Sequence, residues 1–195
     1  MDDIKEKKRE IRNGIIGKIG KYGEKERAEK MEVLKERLFS FANFQEAKIA
    51  FLPSARENEM DVKGIIKQSL SLNKIVVLPS FQTVKKDIIL MKLDNPETEL
   101  IQGPFGNMEP DPQKCKVVPI DSIDIAVIPG LAFDEKGGRL GTGKGYFDLF
   151  IPKLPITARK VSLAFEDQMI QQVPMESHDK YIDIIITEKR IIYKI

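Results

Sequence analysis

The sequence has one cysteine and one histidine in 195 residues. Because Cys115 has no cysteine partner, an intrachain disulfide is excluded, and no histidine and acid motif around it indicates a catalytic nucleophile. With His178 as the only histidine, a metal site built from several histidines is excluded as well. A bound divalent cation would therefore depend on oxygen ligands, which magnesium prefers.

Long apolar runs and a strong charge of either sign are also missing. No uninterrupted apolar stretch is long enough to span a bilayer, and residues 1–8 lack the apolar core of a secretory signal. The 32 basic and 30 acidic side chains leave a formal net charge of +2, which gives no general attraction to nucleic acids or acidic membranes. We therefore expect a cytoplasmic protein that binds neither.

Length and composition predict one folded unit. Domains mostly run to about 100–200 residues, so the chain suits a single domain over residues 1–195. With 42% hydrophobic and 32% charged residues, the composition is that of a globular protein. We expect this domain to be a monomer that binds small molecules.

Hydrophobic patterning predicts helices and strands in alternation. Two amphipathic helices open the chain, at residues 4–21 and 24–41. The predicted strands are 47–52, 74–78, 88–93, 123–128, 160–165, 182–187 and 190–195, and the later helices are 62–72 and 146–154. This order favours an α/β fold with a mainly parallel central sheet and helices on both faces, in a Rossmann-like three-layer arrangement.

Residues 95–119 interrupt this alternation with several prolines and glycines. A loop of this length is often functional, which favours a segment that covers a substrate. The turn-forming composition of residues 103–110 is equally consistent with two successive turns that only connect other elements. Both interpretations stay open at the level of sequence.

The most informative segment is a glycine-rich loop between a predicted strand and a predicted helix. Five glycines lie within nine residues, namely Gly137, Gly138, Gly141, Gly143 and Gly145. Without Cβ atoms, the backbone approaches a ligand closely, and amides at the start of a helix converge on a phosphate. Lys144 and Arg139 lie among these glycines and favour this interpretation over a mobile surface loop.

The loop differs from an ordinary P-loop at one position. The Walker pattern G-x-x-x-x-G-K-[ST] nearly fits from Gly138, but Gly145 stands where a serine or threonine would hold magnesium. An ordinary P-loop is therefore doubtful.

Charged residues elsewhere have two interpretations each. Lys8 and Arg12 lie four apart on one helical face, where they would grip a polyphosphate or simply face water. Asp148 and Asp183 would hold magnesium at one sheet edge, or would only be polar residues at the ends of elements. Glu59 would accept hydrogen bonds from a ligand's amines or lie near the cap of the next helix.

Taken together, these residues resemble the 5-formyltetrahydrofolate cyclo-ligase family, also called 5,10-methenyltetrahydrofolate synthetases. The most specific match is Pro129-Gly130-Leu131-Ala132-Phe133-Asp134 with Arg139-Leu140-Gly141-Thr142-Gly143-Lys144-Gly145-Tyr146-Phe147-Asp148. Supporting matches at residues 8–12, 59–61, 106–110, 165–168 and 178–188 extend the resemblance over nearly the entire chain.

The resemblance implies an enzyme that closes a ring in a reduced folate at the expense of ATP. In that family ATP phosphorylates the formyl oxygen of 5-formyltetrahydrofolate, and nitrogen 10 then attacks the activated carbon and expels phosphate. Phosphoryl transfer depends on positioning and charge neutralisation more than on a protein nucleophile. No catalytic triad is therefore required.

The resemblance also implies roles for individual residues. ATP would be bound by Lys8, Arg9, Glu10, Ile11, Arg12, Arg139, Leu140, Gly141, Thr142, Gly143, Lys144, Gly145, Tyr146 and Phe147. Lys144 and Arg139 would neutralise charge on the transferred group, and Asp148 and Asp183 would support magnesium. Leu52, Glu59 and Tyr146 would contact the folate. Phe147, Thr142 and Val62 depart from the family pattern, which affects hydrogen bonding at the edge of the folate site.

Two other functions are compatible with these residues. One is a P-loop-like hydrolase or kinase for another substrate, which Gly145 disfavours. The other is a nucleotide-binding protein without turnover, against which Lys144, Asp148 and Asp183 count.

Overall fold

The computed structural model describes residues 2–54, 60 and 62–194. The helices are α1 (Asp2–Ile19), α2 (Glu24–Ser40), α3 (Ala42–Glu46), α4 (Lys63–Ser71) and α5 (Tyr146–Phe150). The strands are β1 (Ile49–Phe51), β2 (Ile75–Gln82), β3 (Asp87–Leu93), β4 (Leu100–Gln102), β5 (Met108–Pro110), β6 (Ile125–Val127), β7 (Ala132–Phe133), β8 (Arg139–Leu140), β9 (Arg159–Leu163), β10 (Ile184–Ile186) and β11 (Ile191–Tyr193). Within these residues, no helix has the length and apolarity needed to cross a membrane.

Seven of the described strands form one sheet, in the order β11-β10-β9-β6-β1-β2-β3. The five central strands are parallel to one another, whereas β3 and β11 run antiparallel at the two edges. After β1 the chain places β2 on one side and later β6 on the other. In open α/β sheets a ligand cleft forms at the carboxyl ends of strands where the winding reverses in this way.

Both faces of the sheet are covered, which explains why the central strand β6 is apolar throughout. All three residues of β6, Ile125–Val127, are buried. Leu38 of α2 and Ile65 of α4 belong to the core on one face, and Phe150 of α5 and the adjacent Ile151 belong to the core on the other. The predicted α/β fold, with a mainly parallel sheet between helical layers, is confirmed.

The helix predicted over residues 146–154 ends early. Helix α5 stops at Phe150, and a separate 3-10 turn follows at Ile151–Lys153. Pro152 explains the break, because proline has no N–H to donate and its ring crowds the preceding turn. Helix α5 therefore has only five residues, and any anion site depends on the loop and its cations rather than on a long helix dipole.

The interrupting segment, residues 95–119, contains a hairpin that the sequence did not predict. Strands β4 and β5 pair antiparallel, and the Gly103 N–H donates to the Asn107 carbonyl at 2.7 Å across the turn. Gly106 has a φ of +80°, a conformation that favours glycine. Each strand has only three residues, too few for a period-2 pattern to be recognised. The hairpin carries Phe105 at its turn.

Candidate functional site

A cleft of about 530 Å³ opens at the carboxyl edge of the sheet, between β1 and β6. Pro53 and Ser54, which follow β1, line it, as do residues 128–130, which follow β6. Helix α1 supplies one wall and the glycine loop, residues 141–145, supplies another. The structure thus brings together the two sequence segments that were predicted to bind a polyphosphate.

The glycine loop folds over a cation from α1. Gly143 and Gly145 have φ values of +95° and +71°, which side-chain-bearing residues rarely adopt. Arg12 Nε donates to the Gly141 carbonyl at 2.9 Å, although 129 positions separate the two residues. Burial lowers the pKa of the Arg12 guanidinium, and the charge of Asp179 opposes that change. Arg12 therefore fixes the loop and adds positive charge beneath it.

Lys144 lies against an aromatic wall. Its Nζ is 3.4 Å from the centroid of the Phe105 ring, within the range of a cation–π interaction. Phe105 packs edge-on against Phe81 and Tyr146, with centroid distances of 5.5 and 5.4 Å. The β4–β5 hairpin thus holds the Lys144 ammonium at the junction of the loop and a largely apolar surface.

Arg139 lines the cleft beneath the loop and is almost completely buried there. Its side chain is 2% exposed, and its Nη2 atom pairs with Asp148 Oδ1 at 2.6 Å. A second nitrogen, Nη1, donates to the Pro129 carbonyl at 3.1 Å. Burial lowers the pKa of Arg139, and the charge of Asp148 opposes this change. An arginine guanidinium stays protonated in proteins, so the pair with Asp148 is ionic. The geometry supports a positioning role for Arg139 rather than the predicted contact with the transferred phosphoryl group.

Asp134, which was not predicted as a site residue, fixes the β7–β8 hairpin from which Arg139 extends. Its Oδ1 accepts hydrogen bonds from the N–H groups of Gly138 and Lys136, at 2.8 and 3.0 Å. Its Oδ2 accepts one from the Val173 N–H at 2.8 Å. A Cβ atom on Gly138 would lie 2.5 Å from that carboxylate, so a glycine is required there. In the sequence, the only indication of this role was a single acidic residue, Asp134, directly after an apolar run.

Lys8 reaches the cleft wall but is held by two carboxylates. Its Nζ donates to Glu176 Oε2 at 2.7 Å and to Asp179 Oδ2 at 2.5 Å. Burial acts to lower the pKa of Lys8, but these hydrogen bonds outweigh it and the pKa is raised. Sequence reasoning missed both acids, which lie 168 and 171 positions away. Lys8 therefore ties α1 to the segment that contains them.

The three residues between Lys8 and Arg12 differ in their exposure to solvent. Arg9 and Glu10 are exposed, and Arg9 pairs with Glu6 one turn earlier. Ile11 packs against the core cluster formed with α2 and α4. None of the three lines the cleft, so only the two basic residues of this segment reach it.

The structure does not bring Asp148 and Asp183 together. Asp148 lines the cleft from α5, at the carboxyl edge of the sheet. Asp183 directly precedes β10, and its Oδ2 pairs with the N–H and the Nζ of Lys160 near the start of β9, both at 3.1 Å. Because β9 and β10 run parallel to β6, Asp183 lies at the amino edge. The predicted shared magnesium site is therefore wrong, because only Asp148 of the two lines the cleft.

Of the three residues predicted to contact folate, one lines the cleft, one is buried in the core and one lies outside the described residues. Tyr146 lines the cleft and packs edge-on against Phe81, at a centroid distance of 5.1 Å. Leu52 is fully buried in the core, so the cleft is reached instead by the next two residues, Pro53 and Ser54. Glu59 lies outside the described residues.

Two buried polar side chains fix the surroundings of the cleft. Gln168 donates to the Leu131 carbonyl at 3.0 Å and accepts from the Phe165 N–H at 2.8 Å. Glu109 accepts from the Phe81 N–H at 3.0 Å, which anchors the aromatic wall to the β4–β5 hairpin. Such groups cost free energy when buried unless they are hydrogen-bonded, and here they are.

Comparison with known proteins extends over nearly the full chain. The sequence matches the 5-formyltetrahydrofolate cyclo-ligase family over residues 4–188. The 5-formyltetrahydrofolate cyclo-ligase of Haemophilus influenzae is 32% identical over 152 residues, which cover 73% of this chain and 77% of that protein. The mouse (Mus musculus) 5-formyltetrahydrofolate cyclo-ligase is 24% identical over 189 residues, or 93% of each chain.

A solved structure gives the same result. The 5,10-methenyltetrahydrofolate synthetase of Aquifex aeolicus superimposes with a TM-score of 0.82 at 29% identity, over 95% of this chain and 92% of that one. The resemblance predicted from the sequence motifs is confirmed. This chain belongs to the 5-formyltetrahydrofolate cyclo-ligase family.

Proposed function

We propose that the protein catalyses the ATP-dependent cyclisation of 5-formyltetrahydrofolate to 5,10-methenyltetrahydrofolate, with release of ADP and phosphate. The observation that carries the proposal is a single cleft in which a glycine loop with Lys144 meets an aromatic wall. The loop suits a polyphosphate, and the wall suits the flat ring system of a folate. Membership of the family over residues 4–188 supports the same reaction.

The first step joins the formyl oxygen to the γ-phosphorus of ATP. The bond between that phosphorus and the β,γ-bridging oxygen breaks, and ADP leaves. Such a transfer is accelerated by alignment and by fixed positive charge. Lys144 and Arg12, with the loop amides, would bind the phosphates and supply this charge, while the buried Arg139 keeps the loop in place.

The second step closes the ring. Nitrogen 10 forms a bond to the activated formyl carbon and loses its proton, and the former formyl oxygen departs with the phosphate. The Lys144 ammonium, at the junction of the loop and the wall, would stabilise charge on the departing group. The rings of Phe81, Phe105 and Tyr146 would exclude water that otherwise hydrolyses the activated intermediate.

Magnesium fits this site through Asp148. Its Oδ1 pairs with Arg139, which leaves Oδ2 on a residue that lines the cleft. Magnesium commonly binds one or two carboxylates together with substrate phosphates and waters. When bound, the ion would neutralise charge on the β- and γ-phosphates.

The folate would lie along the aromatic wall. Tyr146 and Phe147 line the cleft beside Phe81, and Phe147 packs edge-on against Phe81 at 6.2 Å between centroids. A phenylalanine at position 147 offers a ring face without a hydroxyl group, so stacking replaces any hydrogen bond there. Glu59 stays a predicted folate contact, and a monomeric state and a cytoplasmic location stay predictions from the sequence.

The proposed reaction is tested by mixing the protein with magnesium-ATP and 5-formyltetrahydrofolate. We expect the absorbance of the methenyl product to rise in step with ADP, one for one. ADP without methenyl product would indicate a nucleotide hydrolase. The absence of both products would indicate a nucleotide-binding protein without turnover, or a kinase whose phosphoryl acceptor is missing from the mixture.

Replacing Lys144 with alanine is expected to reduce kcat about a hundredfold or more, because the ammonium acts on charge that develops in the transition state. Binding of 5-formyltetrahydrofolate should change far less. Steady-state kinetics and equilibrium folate binding measure the two effects. Lys136→Ala, which removes an exposed lysine near the same loop, is the control. Near-normal turnover in the Lys144 variant would contradict the assigned role.

Replacing Arg12 with alanine is expected to raise the KM for ATP, because the side chain supports the loop and adds charge beneath it. Arg9→Ala should leave the KM unchanged, since Arg9 faces solvent one turn away. ATP titrations of both folded variants make the comparison. Equal effects of the two substitutions would mean that this face of α1 does not act as the structure indicates.

Asp148→Asn and Asp183→Asn are expected to differ. The Asp148 variant should need more magnesium for half-maximal turnover and should also melt at a lower temperature, because it loses a carboxylate ligand and leaves the buried Arg139 without its ion-pair partner. The Asp183 variant should keep the wild-type magnesium dependence, since its carboxylate pairs with Lys160 at the other sheet edge. Turnover measured against magnesium concentration separates them. A matching shift in both variants would restore the shared site predicted from sequence.

A further inference from the structure

The turn between β2 and β3 contains a lysine, Lys86, whose side chain lies against the glycine loop. Lys86 closes this turn, residues 83–86, with a φ of +49°. Among the described residues, Asn73 is the other non-glycine residue with a positive φ. Asparagine tolerates this region, whereas lysine is strained there. Strained backbone of this kind is concentrated at functional positions, so the role of the side chain needs an explanation.

The Lys86 side chain lies directly against the loop. A Cβ atom on Gly145 would be 3.4 Å from Lys86 Nζ, so the ammonium approaches the loop backbone at a residue that has no side chain. Lys86 also lines the cleft, together with Lys144 and Tyr146. Its charge therefore lies where the loop meets the aromatic wall.

Two of the other cations that line the cleft are already paired with carboxylates. Lys8 is paired with Glu176 and Asp179, and Arg139 is paired with Asp148. These carboxylates cancel most of the positive charge that the two residues would offer to a polyphosphate. Within the described part of the chain, Lys86 forms no ion pair with a carboxylate, and it lines the cleft from an exposed position.

We propose that Lys86 binds the phosphoryl group as it passes from ATP to the formyl oxygen. The inference rests on the proposed function, and it adds a cation supplied by a different hairpin from the loop itself. The position of the ammonium favours this group over the rest of either substrate, because it lies next to Gly145 and beside the ring wall. A transferred phosphoryl group must lie between the bound nucleotide and the bound folate.

The test compares four variants in the wild-type assay. Lys86→Gln removes the ammonium, and Lys85→Gln removes the same charge from the neighbouring exposed position as a matched control. Lys86→Arg keeps a positive charge at the site. Lys86→Gly removes the ammonium but suits the left-handed backbone, so its melting temperature should equal or exceed that of the wild type. This variant separates loss of function from loss of fold.

We expect Lys86→Gln and Lys86→Gly to lower kcat about tenfold, less than for a fully buried, preorganised donor because the lysine is exposed. The KM for 5-formyltetrahydrofolate should stay within about twofold, since an interaction made mainly in the transition state is lost. Lys86→Arg should recover part of kcat, and Lys85→Gln should match the wild type.

Two results would overturn the proposal. A raised KM for 5-formyltetrahydrofolate with unchanged kcat would place Lys86 on a carboxylate of the folate. Identical kinetics for the two glutamine variants would show that position 86 has no special role. Failure of the proposed function itself is distinguishable, because the wild type would then form no methenyl product.

Discussion

The ion pair between Arg139 and Asp148 is the interaction on which the site depends. Its two atoms are 2.6 Å apart, and the guanidinium is almost completely excluded from solvent. A buried charge without its partner typically costs about 3–5 kcal/mol, so each residue fixes the position of the other. Arg139 belongs to β8 and Asp148 to α5. The pair therefore sets the distance between the two ends of the glycine loop.

The rest of the cleft is arranged around this fixed loop. Arg12 reaches it from α1 through the Gly141 carbonyl, and Asp134 holds the hairpin that carries Arg139. Lys8 is neutralised by Glu176 and Asp179, so it contributes to the position of α1 more than to the potential in the cleft. Two remote segments of sequence, α1 and residues 176–179, thus support a loop of a few residues.

Much of the fold and of the candidate site could be predicted from the sequence, because the strongest patterns lie within short segments. Apolar strands separated by helices predicted the sheet, and the glycines with Lys144 predicted the phosphate loop. The signature residues gave the family. Helix α5 is shorter than its hydrophobic spacing predicts because Pro152 ends it, and the short β4–β5 strands have too few residues for a recognisable period.

The predictions that were wrong or missing concern residues whose positions depend on the topology of the sheet. Asp148 and Asp183 are both acids near predicted element ends, but only the parallel direction of β6, β9 and β10 shows that they lie at opposite edges. The partners of Lys8 lie at the far end of the chain, and no spacing rule connects them. In the sequence, Lys86 is only the second of two consecutive lysines. Its positive φ, which distinguishes it from Lys85, is seen only in the structure.

In the proposed reaction, ATP cleavage and ring closure share one phosphorylated intermediate on the formyl oxygen. It is tested most directly with 5-formyltetrahydrofolate labelled with ¹⁸O in the formyl group. After turnover with unlabelled ATP, mass spectrometry of the inorganic phosphate measures where the label has gone. We predict one ¹⁸O atom in each phosphate released. Label recovered in water, with unlabelled phosphate, would contradict the account.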